Sequence, residues 1–258
     1  MRKKRLLNSF ITVGRYYEFL DHLVYLAQHK ISSYTCVSNV HMLIEAYKDP
    51  NFNLILNNAD VATPDGMPLA KCLKLFYKLK QDRVAGMDLF PSIMEKAQEK
   101  GLSVYFYGST DEILNQISKK VENEFPSLNI AGFYSPPFRN LVSAENDKIV
   151  EMINKQEPNF IFVSLGCPKQ EKWMAENKGK IKACMIGVGG AFPVYAGTQK
   201  RAPYWMQYYS LEWIYRLLQE PGRLWRRYLY TNSLFIILIL RFYLKALFIE
   251  KTIFQKEI

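Results

Sequence analysis

Residues that bind metals or form disulfides are scarce in this sequence. Its 258 residues include three histidines and four cysteines, and no two cysteines form a C-x-x-C pair. The number and spacing of these residues support neither a zinc site nor a disulfide framework, and they favour a reducing compartment such as the cytoplasm. An Asp-x-Asp pair, which could hold a divalent metal on a diphosphate, is missing too. We therefore expect no metal site and no cofactor.

Two familiar phosphate-binding motifs are also missing. No G-x-G-x-x-G run opens the first strand and helix, and no G-x-x-x-x-G-K-[ST] loop occurs. The run GVGG at 187–190 matches the first pattern only in part and comes late in the chain. A nucleotide diphosphate bound here would have to be held by backbone N–H groups and arginines.

Long apolar stretches are lacking at both ends. The basic start, residues 2–5, is not followed by a sustained apolar segment or a cleavage site, so we expect no signal peptide. Residues 234–240 are wholly apolar, but Arg241 and Lys245 interrupt them well short of the roughly 20 residues that span a bilayer. This segment is too short to cross a membrane unaided.

Positive charge is plentiful, and much of it lies in the last quarter of the chain. The net charge is +10, and residues 201–258 hold nine Lys or Arg against four Glu. Apolar and aromatic side chains near these charges suit a membrane interface: Trp225, Phe242, Leu244, Leu247 and Phe248. We predict a helix on the membrane surface, with a core or oligomer-interface helix as the alternative. Nucleic acid is disfavoured because the charges adjoin an apolar run.

Strand-like and helical segments alternate in a composition typical of a globular domain, 49% hydrophobic and 22% charged. This alternation predicts an α/β fold, with a mostly parallel sheet and helices on both faces. The predicted strands are 34–37, 104–107, 129–134, 160–165 and 183–188. The predicted helices include 16–30, 41–47, 69–80, 89–100 and 146–155, with another starting at Asp111.

Unusual loops fall where predicted strands end. They contain Asn39, the TPDG turn at 63–66, and the glycines Gly108, Gly166, Gly189 and Gly190. Ligands of parallel sheets bind outside the carboxyl ends of the strands, so these loops should converge on one rim.

Residues 160–174 show how such a loop could bind an anion. Gly166 makes the turn after a buried strand, and Pro168 is expected at the first helical position. A helix N-terminus carries roughly half a positive charge and suits phosphate or carboxylate. Gln170, one turn into the helix, could present its amide to the same ligand. A plain strand-to-helix connection in any α/β protein would look similar, so this segment alone leaves both interpretations open.

Several motifs follow one another along nearly the whole chain, from about Asn39 to Tyr228. They are TPDG at 63–66, RVAGMDL at 83–89, LGCPKQEKW at 165–173, GVGGAF at 187–192, RAPYW at 201–205, LEWIYRLLQEP at 211–221 and RLWRRY at 223–228. Together they resemble the WecG/TagA/CpsF glycosyltransferases (glycosyltransferase family 26). The resemblance implies a Rossmann-like core, residues 1–200, and a helical appendage, residues 201–258, that completes the active site and contacts the membrane.

The resemblance also implies an activity. It predicts an inverting, metal-independent enzyme that moves a hexose or N-acetylhexosamine, such as N-acetylmannosamine, from a UDP-sugar to a polyprenyl-diphosphate-linked sugar. The expected place is the cytoplasmic face of the cell membrane, as a peripheral protein, in teichoic acid, capsule or exopolysaccharide synthesis. A non-catalytic nucleotide-sugar-binding or membrane scaffold protein is the alternative. Whether the chain forms a homo-oligomer stays open.

By the same resemblance, Asp65 matches the general base that removes the proton of the acceptor hydroxyl. The alternative is an aspartate that only caps its Pro-Asp-Gly turn. Asn39 and Gln170 match polar residues of the donor pocket, and Arg83 matches a basic residue beside it; otherwise each is a solvated loop residue. The other predicted substrate-binding residues are the loop residues Thr63, Gly108, Gly166, Gly189 and Gly190 and the appendage arginines Arg216, Arg223, Arg226 and Arg227, which should meet a diphosphate.

Three positions depart from the family pattern. Val37 stands where Thr is frequent, Pro193 replaces the usual Asp after Ala-Phe, and Ser210 replaces a frequent Gly. A lost hydroxyl and a lost carboxylate bear on the identity of the donor sugar more than on the type of reaction.

Overall fold

The expected alternation of strands and helices is present in the computed structural model, which describes the backbone of residues 1–254 and the side chains of residues 1–244. The strands are β1 (Lys3–Leu6), β2 (Ser9–Thr12), β3 (Ser33–Ser38), β4 (Val61–Pro64), β5 (Ser103–Gly108), β6 (Asn129–Tyr134), β7 (Phe160–Ser164) and β8 (Cys184–Gly187). The helices are α1 (Tyr16–Gln28), α2 (Val40–Lys48), α3 (Pro50–Asn58), α4 (Met67–Tyr77), α5 (Gly86–Glu99), α6 (Asp111–Glu124), α7 (Ser143–Lys155), α8 (Lys169–Asn177), α9 (Ala191–Tyr195), α10 (Tyr204–Tyr208), α11 (Glu212–Gln219) and α12 (Pro221–Phe254).

Strands β3 to β8 form one parallel sheet in the order β4-β3-β8-β7-β5-β6. The predicted α/β fold is therefore confirmed. Side chains alternate between the two faces: in β7, Phe160 and Phe162 enter one core, while Ile161 and Val163 enter the other. Because both faces are buried, such strands appear in the sequence as continuous apolar runs.

Helices cover both faces of the sheet. On the face covered by α1, α5, α6 and α9, the Phe90 ring meets Phe162 edge-on, with centroids 4.6 Å apart. The other face carries α2, α3, α4, α7, α8, α12 and the β1–β2 hairpin, and there Tyr107 stacks on Trp173 at 4.2 Å. Each buried aromatic of this kind contributes about 1.5–3 kcal/mol. These layers fix the strands, and with them the loops at the strand ends.

Three local features add to or correct the expectations from sequence. The antiparallel hairpin of β1 and β2 was not predicted. Residues 50–58, to which no element was assigned, form α3, because Asp49 caps its start by accepting the Asn51 N–H at 2.9 Å. Helix α8 begins at Lys169, so Pro168 occupies the N-cap and not the first helical position; that expectation was wrong by one residue.

The last long helix lies against the core along one side. Phe235 and Leu238 of α12 are buried in the core, while Ile237 and Leu240 are exposed. Among residues 1–254, no helix combines the length and the apolar character that crossing a bilayer requires. The domain boundary at residue 200 stays a prediction. Three side chains that the sequence places on this helix lie outside the described residues: Lys245, Leu247 and Phe248.

Candidate active site

The carboxyl ends of the parallel strands carry the loops that the sequence analysis singled out. Asn39 follows β3, Asp65 follows β4, Gly166 follows β7, and Gly189 follows β8. The Asp65 N–H donates to the carbonyl of Ser38 at 2.8 Å, which ties the TPDG turn to the end of the neighbouring strand. These loops share one rim of the sheet, and the space above this rim is called the crevice.

Asp65 is a half-buried carboxylate among charges of both signs. Its pKa is raised to about 6: burial is the largest cause, Glu212 and Asp88 also raise the pKa, and Arg83 and Arg216 lower it. At neutral pH the group is therefore mostly ionised, yet more basic than an ordinary aspartate. A general base works best when its pKa lies near, and below, the working pH, so these surroundings suit proton abstraction.

Arg83 fastens the C-terminal helices to the Asp65 turn. Its Nε donates to the backbone carbonyl of Asp65 at 2.9 Å, one Nη donates to Gln207 Oε1 at 3.1 Å, and the other pairs with Glu212 at 3.0 Å. Arg201 donates to the same Gln207 oxygen at 3.0 Å. The Arg83 and Glu212 side chains are only 12% and 25% exposed, so water screens this ion pair less than a surface pair. Helices α10 and α11 are thereby held beside the candidate base.

Arg216 of α11 reaches over the turn that follows β8. A Cβ added to Gly190 would lie 2.5 Å from an Arg216 Nη, so only glycine leaves room for the guanidinium in this position. Gly190 has φ −64° and ψ 0°, which any residue can adopt, and the requirement is therefore one of space. Arg216 also lowers the pKa of Asp65. It brings a positive charge from the appendage to the rim.

Gln170 lies beneath the crevice with its amide turned inward. Its side chain is 4% exposed, its Oε1 accepts the Gly166 N–H at 3.1 Å, and its Nε2 donates to Glu171 at 2.7 Å. The same amide packs against Gly187 and Gly189. In this arrangement Gln170 supports the turns of the rim from below.

Hydrogen bonds join the turns after β5, β7 and β8. Gly108 has φ +108°, and a Cβ there would collide with the carbonyl oxygen of Ser164. The Ser109 N–H donates to that carbonyl at 2.9 Å, and the Ser164 hydroxyl donates to the Gly189 carbonyl at 2.9 Å. Gly108 thus permits a close approach of two strands, and its contribution to the rim is made through the backbone.

Asn39 and Thr63 both make local contacts. Asn39 is half-buried and caps α2, its Oδ1 accepting the Met42 N–H at 3.1 Å. Thr63 is fully buried and donates its hydroxyl to the Val84 carbonyl at 3.0 Å. The structure therefore places Asn39 at the rim, and it places the Thr63 side chain in the interior, where it holds the segment leading to Arg83.

The arginines at the start of α12 have different surroundings. Arg223 pairs with Glu220, and the pKa of that carboxyl is lowered by Arg223 and then by Arg216 and Arg227. Glu220 thus brings three of the predicted diphosphate-binding arginines into one neighbourhood. Arg226 is exposed and lies over the adjacent indole ring, 5.2 Å from its centroid.

Metal ligands are not grouped in the part of the chain whose side chains are described. No cluster of three His, Cys, Asp or Glu there could hold a metal ion. The expectation of a metal-free reaction stays a prediction.

Comparison with known proteins identifies the family. The model of the glycosyl transferase WecG/TagA/CpsF family matches residues 4–247. The chain belongs to this family. The resemblance seen in the motifs is therefore confirmed, and so is glycosyltransferase activity as the general function.

Relatives within this glycosyltransferase family share one enzyme name. A protein of Bacillus spizizenii is 36% identical over 214 residues, which cover 82% of this chain and 80% of the relative. A protein of Bacillus subtilis is 32% identical over 213 residues, covering 82% and 81%. One from Staphylococcus aureus is 30% identical over 176 residues, covering 67% and 66%. Each is named N-acetylglucosaminyldiphosphoundecaprenol N-acetyl-beta-D-mannosaminyltransferase.

Sequence reasoning did not single out Glu212, Gln207 or Glu171. Glu212 and Glu171 lie inside motifs of this family, directly after Leu211 and Gln170, but a carboxylate in a charged motif is usually solvated. The contacts of Gln207 and Glu212 with Arg83 join residues that are far apart in the chain. For Glu212 and Glu171, the signal in the sequence was their position inside the motifs.

Replacing Gly190 by Ala should displace the Arg216 guanidinium without disturbing the backbone. We expect kcat/KM for sugar transfer to fall by roughly 10²–10³-fold, the range for losing one electrostatic stabiliser, with little change in the thermal midpoint. Gly222→Ala is the matched control, because nothing lies within 4 Å of a Cβ there. Wild-type turnover by Gly190→Ala would contradict the assigned role of Arg216.

Replacing Glu212 by Gln should lower the pKa of Asp65, because a negative neighbour is removed and Arg83 loses its ion-pair partner. The catalytic form of the base is the carboxylate, which is lost as the pH falls through about 6. The acidic limb of kcat/KM against pH should therefore move to lower pH by up to about one unit. The exposed Glu112→Gln should leave the limb in place, and an unmoved or raised limb in Glu212→Gln would refute the coupling.

Proposed function

We propose that this glycosyltransferase moves N-acetylmannosamine from its UDP derivative to a GlcNAc residue carried on a polyprenyl diphosphate, in synthesis of a bacterial cell-surface polysaccharide such as teichoic acid. The observation that carries the proposal is Asp65, a carboxylate with a pKa of about 6 at the rim, in a chain that is 36% identical to an enzyme with this name. The departures at Val37, Pro193 and Ser210 bear on the sugar, so the donor needs a direct test.

In the proposed step, Asp65 accepts the proton of the acceptor hydroxyl while the hydroxyl oxygen attacks the anomeric carbon of the donor. The new carbon–oxygen bond forms as the bond from that carbon to the UDP oxygen breaks. UDP leaves with the bonding electron pair, and the proton stays on Asp65. A single displacement of this kind inverts the configuration at the anomeric carbon.

The charge that develops on the leaving diphosphate needs positive partners. Arg216 lies over Gly190 at the rim, and Arg223 and Arg227 are near Glu220 on the next turn of the appendage. Arginine donors can serve in place of a divalent cation. Each such contact is worth on the order of 3 kcal/mol in the transition state. The proposed reaction accordingly needs no metal.

The lipid-linked acceptor requires the enzyme to work at a membrane surface, and we place it on the cytoplasmic face. The exposed side of α12 supports this, because Ile236, Ile237, Leu240 and Leu244 are all more than 45% exposed. Exposed aromatic side chains of the appendage add to this surface: Tyr204, Trp205, Tyr208, Tyr209, Trp225 and Tyr230. Such a face suits a helix lying in the lipid interface. The alternative is that this exposed face forms a contact between copies of this chain.

Replacing Asp65 by Asn should remove the base while keeping the shape of the turn. We expect transfer to fall by about 10²–10⁴-fold, because the amide cannot take the proton, while UDP affinity changes little. The assay presents UDP-N-acetylmannosamine and other UDP-sugars, in EDTA, to a polyprenyl-diphosphate-linked GlcNAc acceptor. UDP binding is measured by calorimetry.

The matched control is Asp60→Asn, a carboxylate at the opposite end of β4, whose turnover should stay near that of the wild type. Undiminished transfer by Asp65→Asn would refute the base assignment. Wild-type protein that binds UDP without transferring any sugar would favour the non-catalytic alternative.

Replacing Leu240 by Glu should weaken binding to liposomes, because burying a carboxylate in the lipid interface is costly. We expect the bound fraction to fall several-fold in flotation with anionic vesicles, with no change in folding. Leu54→Glu, an equally exposed leucine on α3, is the control. If Leu240→Glu floats like the wild type but sediments as a smaller species, the exposed face is an oligomer interface.

A further inference from the structure

Glu171 is a buried carboxyl group that the proposed reaction does not use. Its side chain is fully buried in the first turn of α8. Its Oε1 accepts the Gln170 Nε2–H at 2.7 Å, and its Oε2 has no hydrogen-bond partner among the residues whose side chains are described. Its pKa is raised to about 7, because burial raises the pKa more than the hydrogen bonds of Gln170, the backbone and the Cys167 thiol lower it. A buried carboxyl group without a cation costs several kcal/mol, so its presence calls for an explanation.

The hydrogen bond from Gln170 determines which way that amide faces. A carboxyl oxygen accepts, so it draws the amide NH2 group toward itself and leaves the amide oxygen for the Gly166 N–H at 3.1 Å. The flipped amide would set NH2 against N–H at Gly166 and oxygen against oxygen at Glu171. An apolar residue at position 171 would not select between these two orientations.

The oriented amide supports two turns of the rim at once. Besides the bond to Gly166, it packs closely on the strand end and turn of β8: a Cβ on Gly187 would lie 2.8 Å from Gln170 Nε2, and one on Gly189 would lie 3.3 Å from Oε1. The next residue, Gly190, lies under Arg216. A change in the amide would therefore move the backbone of both turns, and with it the glycine that lies under Arg216.

We infer that Glu171 is a positioning residue: it fixes the Gln170 amide, and through it the Gly166 and Gly189 turns that lead to Gly190 and support Arg216, where the donor diphosphate is proposed to bind. The inference rests on the proposed placement of that diphosphate at this rim. Glu171 touches no reacting atom, and its effect passes through Gln170.

The test is a double-mutant cycle in the full-length chain, with UDP affinity, kcat and donor KM measured for each variant. Glu171→Leu should weaken UDP binding and raise the donor KM by tenfold or more, while the acceptor KM changes little. Its thermal midpoint should be unchanged or higher, because a buried carboxyl is replaced by an apolar group. Glu171→Gln retains an accepting oxygen and should restore binding to within about threefold of wild type.

Gln170→Leu should produce the same loss as Glu171→Leu, and the double variant should be no worse than either single variant. The positioning role would be overturned if the losses of the two single variants multiplied in the double variant. It would also be overturned if Glu171→Leu bound UDP as tightly as the wild type. Should Glu171→Leu not fold, Glu171→Met gives the same cycle with a straighter side chain. Failure of the proposed function would give a different result: the wild-type protein would neither bind UDP nor transfer sugar from a UDP-sugar.

Discussion

The candidate site depends on one arginine that belongs to the core and holds the appendage. Arg83 bonds the backbone of Asp65 and, with its other nitrogens, Gln207 and Glu212. This contact affects both the position and the pKa of the candidate base. The guanidinium that holds the Asp65 backbone also lowers the pKa of its carboxyl group, while the partner Glu212 raises that pKa. Detaching α11 would remove Arg216 from the rim and change the charge around Asp65 at the same time. Docking of the appendage and readiness of the base are therefore linked.

The Asp65 carboxyl group keeps a raised pKa although arginines lie near it, because burial and nearby acids oppose their effect. Arg83 of the core and Arg223 of the appendage are each held near an appendage acid: Arg83 by Glu212 and Arg223 by Glu220. Burial raises the pKa of Asp65, and Glu212 and Asp88 also raise it, so Arg83 and Arg216 do not lower it to that of an ordinary salt-bridged aspartate. A diphosphate entering the crevice would compete for the same arginines.

Much of the fold was predictable because it follows from local patterns. Buried parallel strands such as β5 and β7 are continuous apolar runs, and β6 was predicted with its observed bounds, residues 129–134. The N-terminal hairpin was not predicted. Strand β1 is short and basic, so its sequence resembles a solvated tail, and its pairing with β2 depends on the turn between them. Helix α3 was missed because its start depends on Asp49 as a cap, directly behind the end of α2.

The α/β class, the rim at which the strand-end loops meet and the family could all be predicted from the amino-acid sequence, since each depends on residue types at short spacing and on the order of motifs. The three-dimensional fold was needed to show that Gln170 faces inward onto Glu171, that Thr63 is buried, and that Arg83 pairs with Glu212. The last pair is separated by 129 positions in the chain. No local pattern encodes such a partner, because it is chosen by packing and by the need of each buried polar group to find a hydrogen bond.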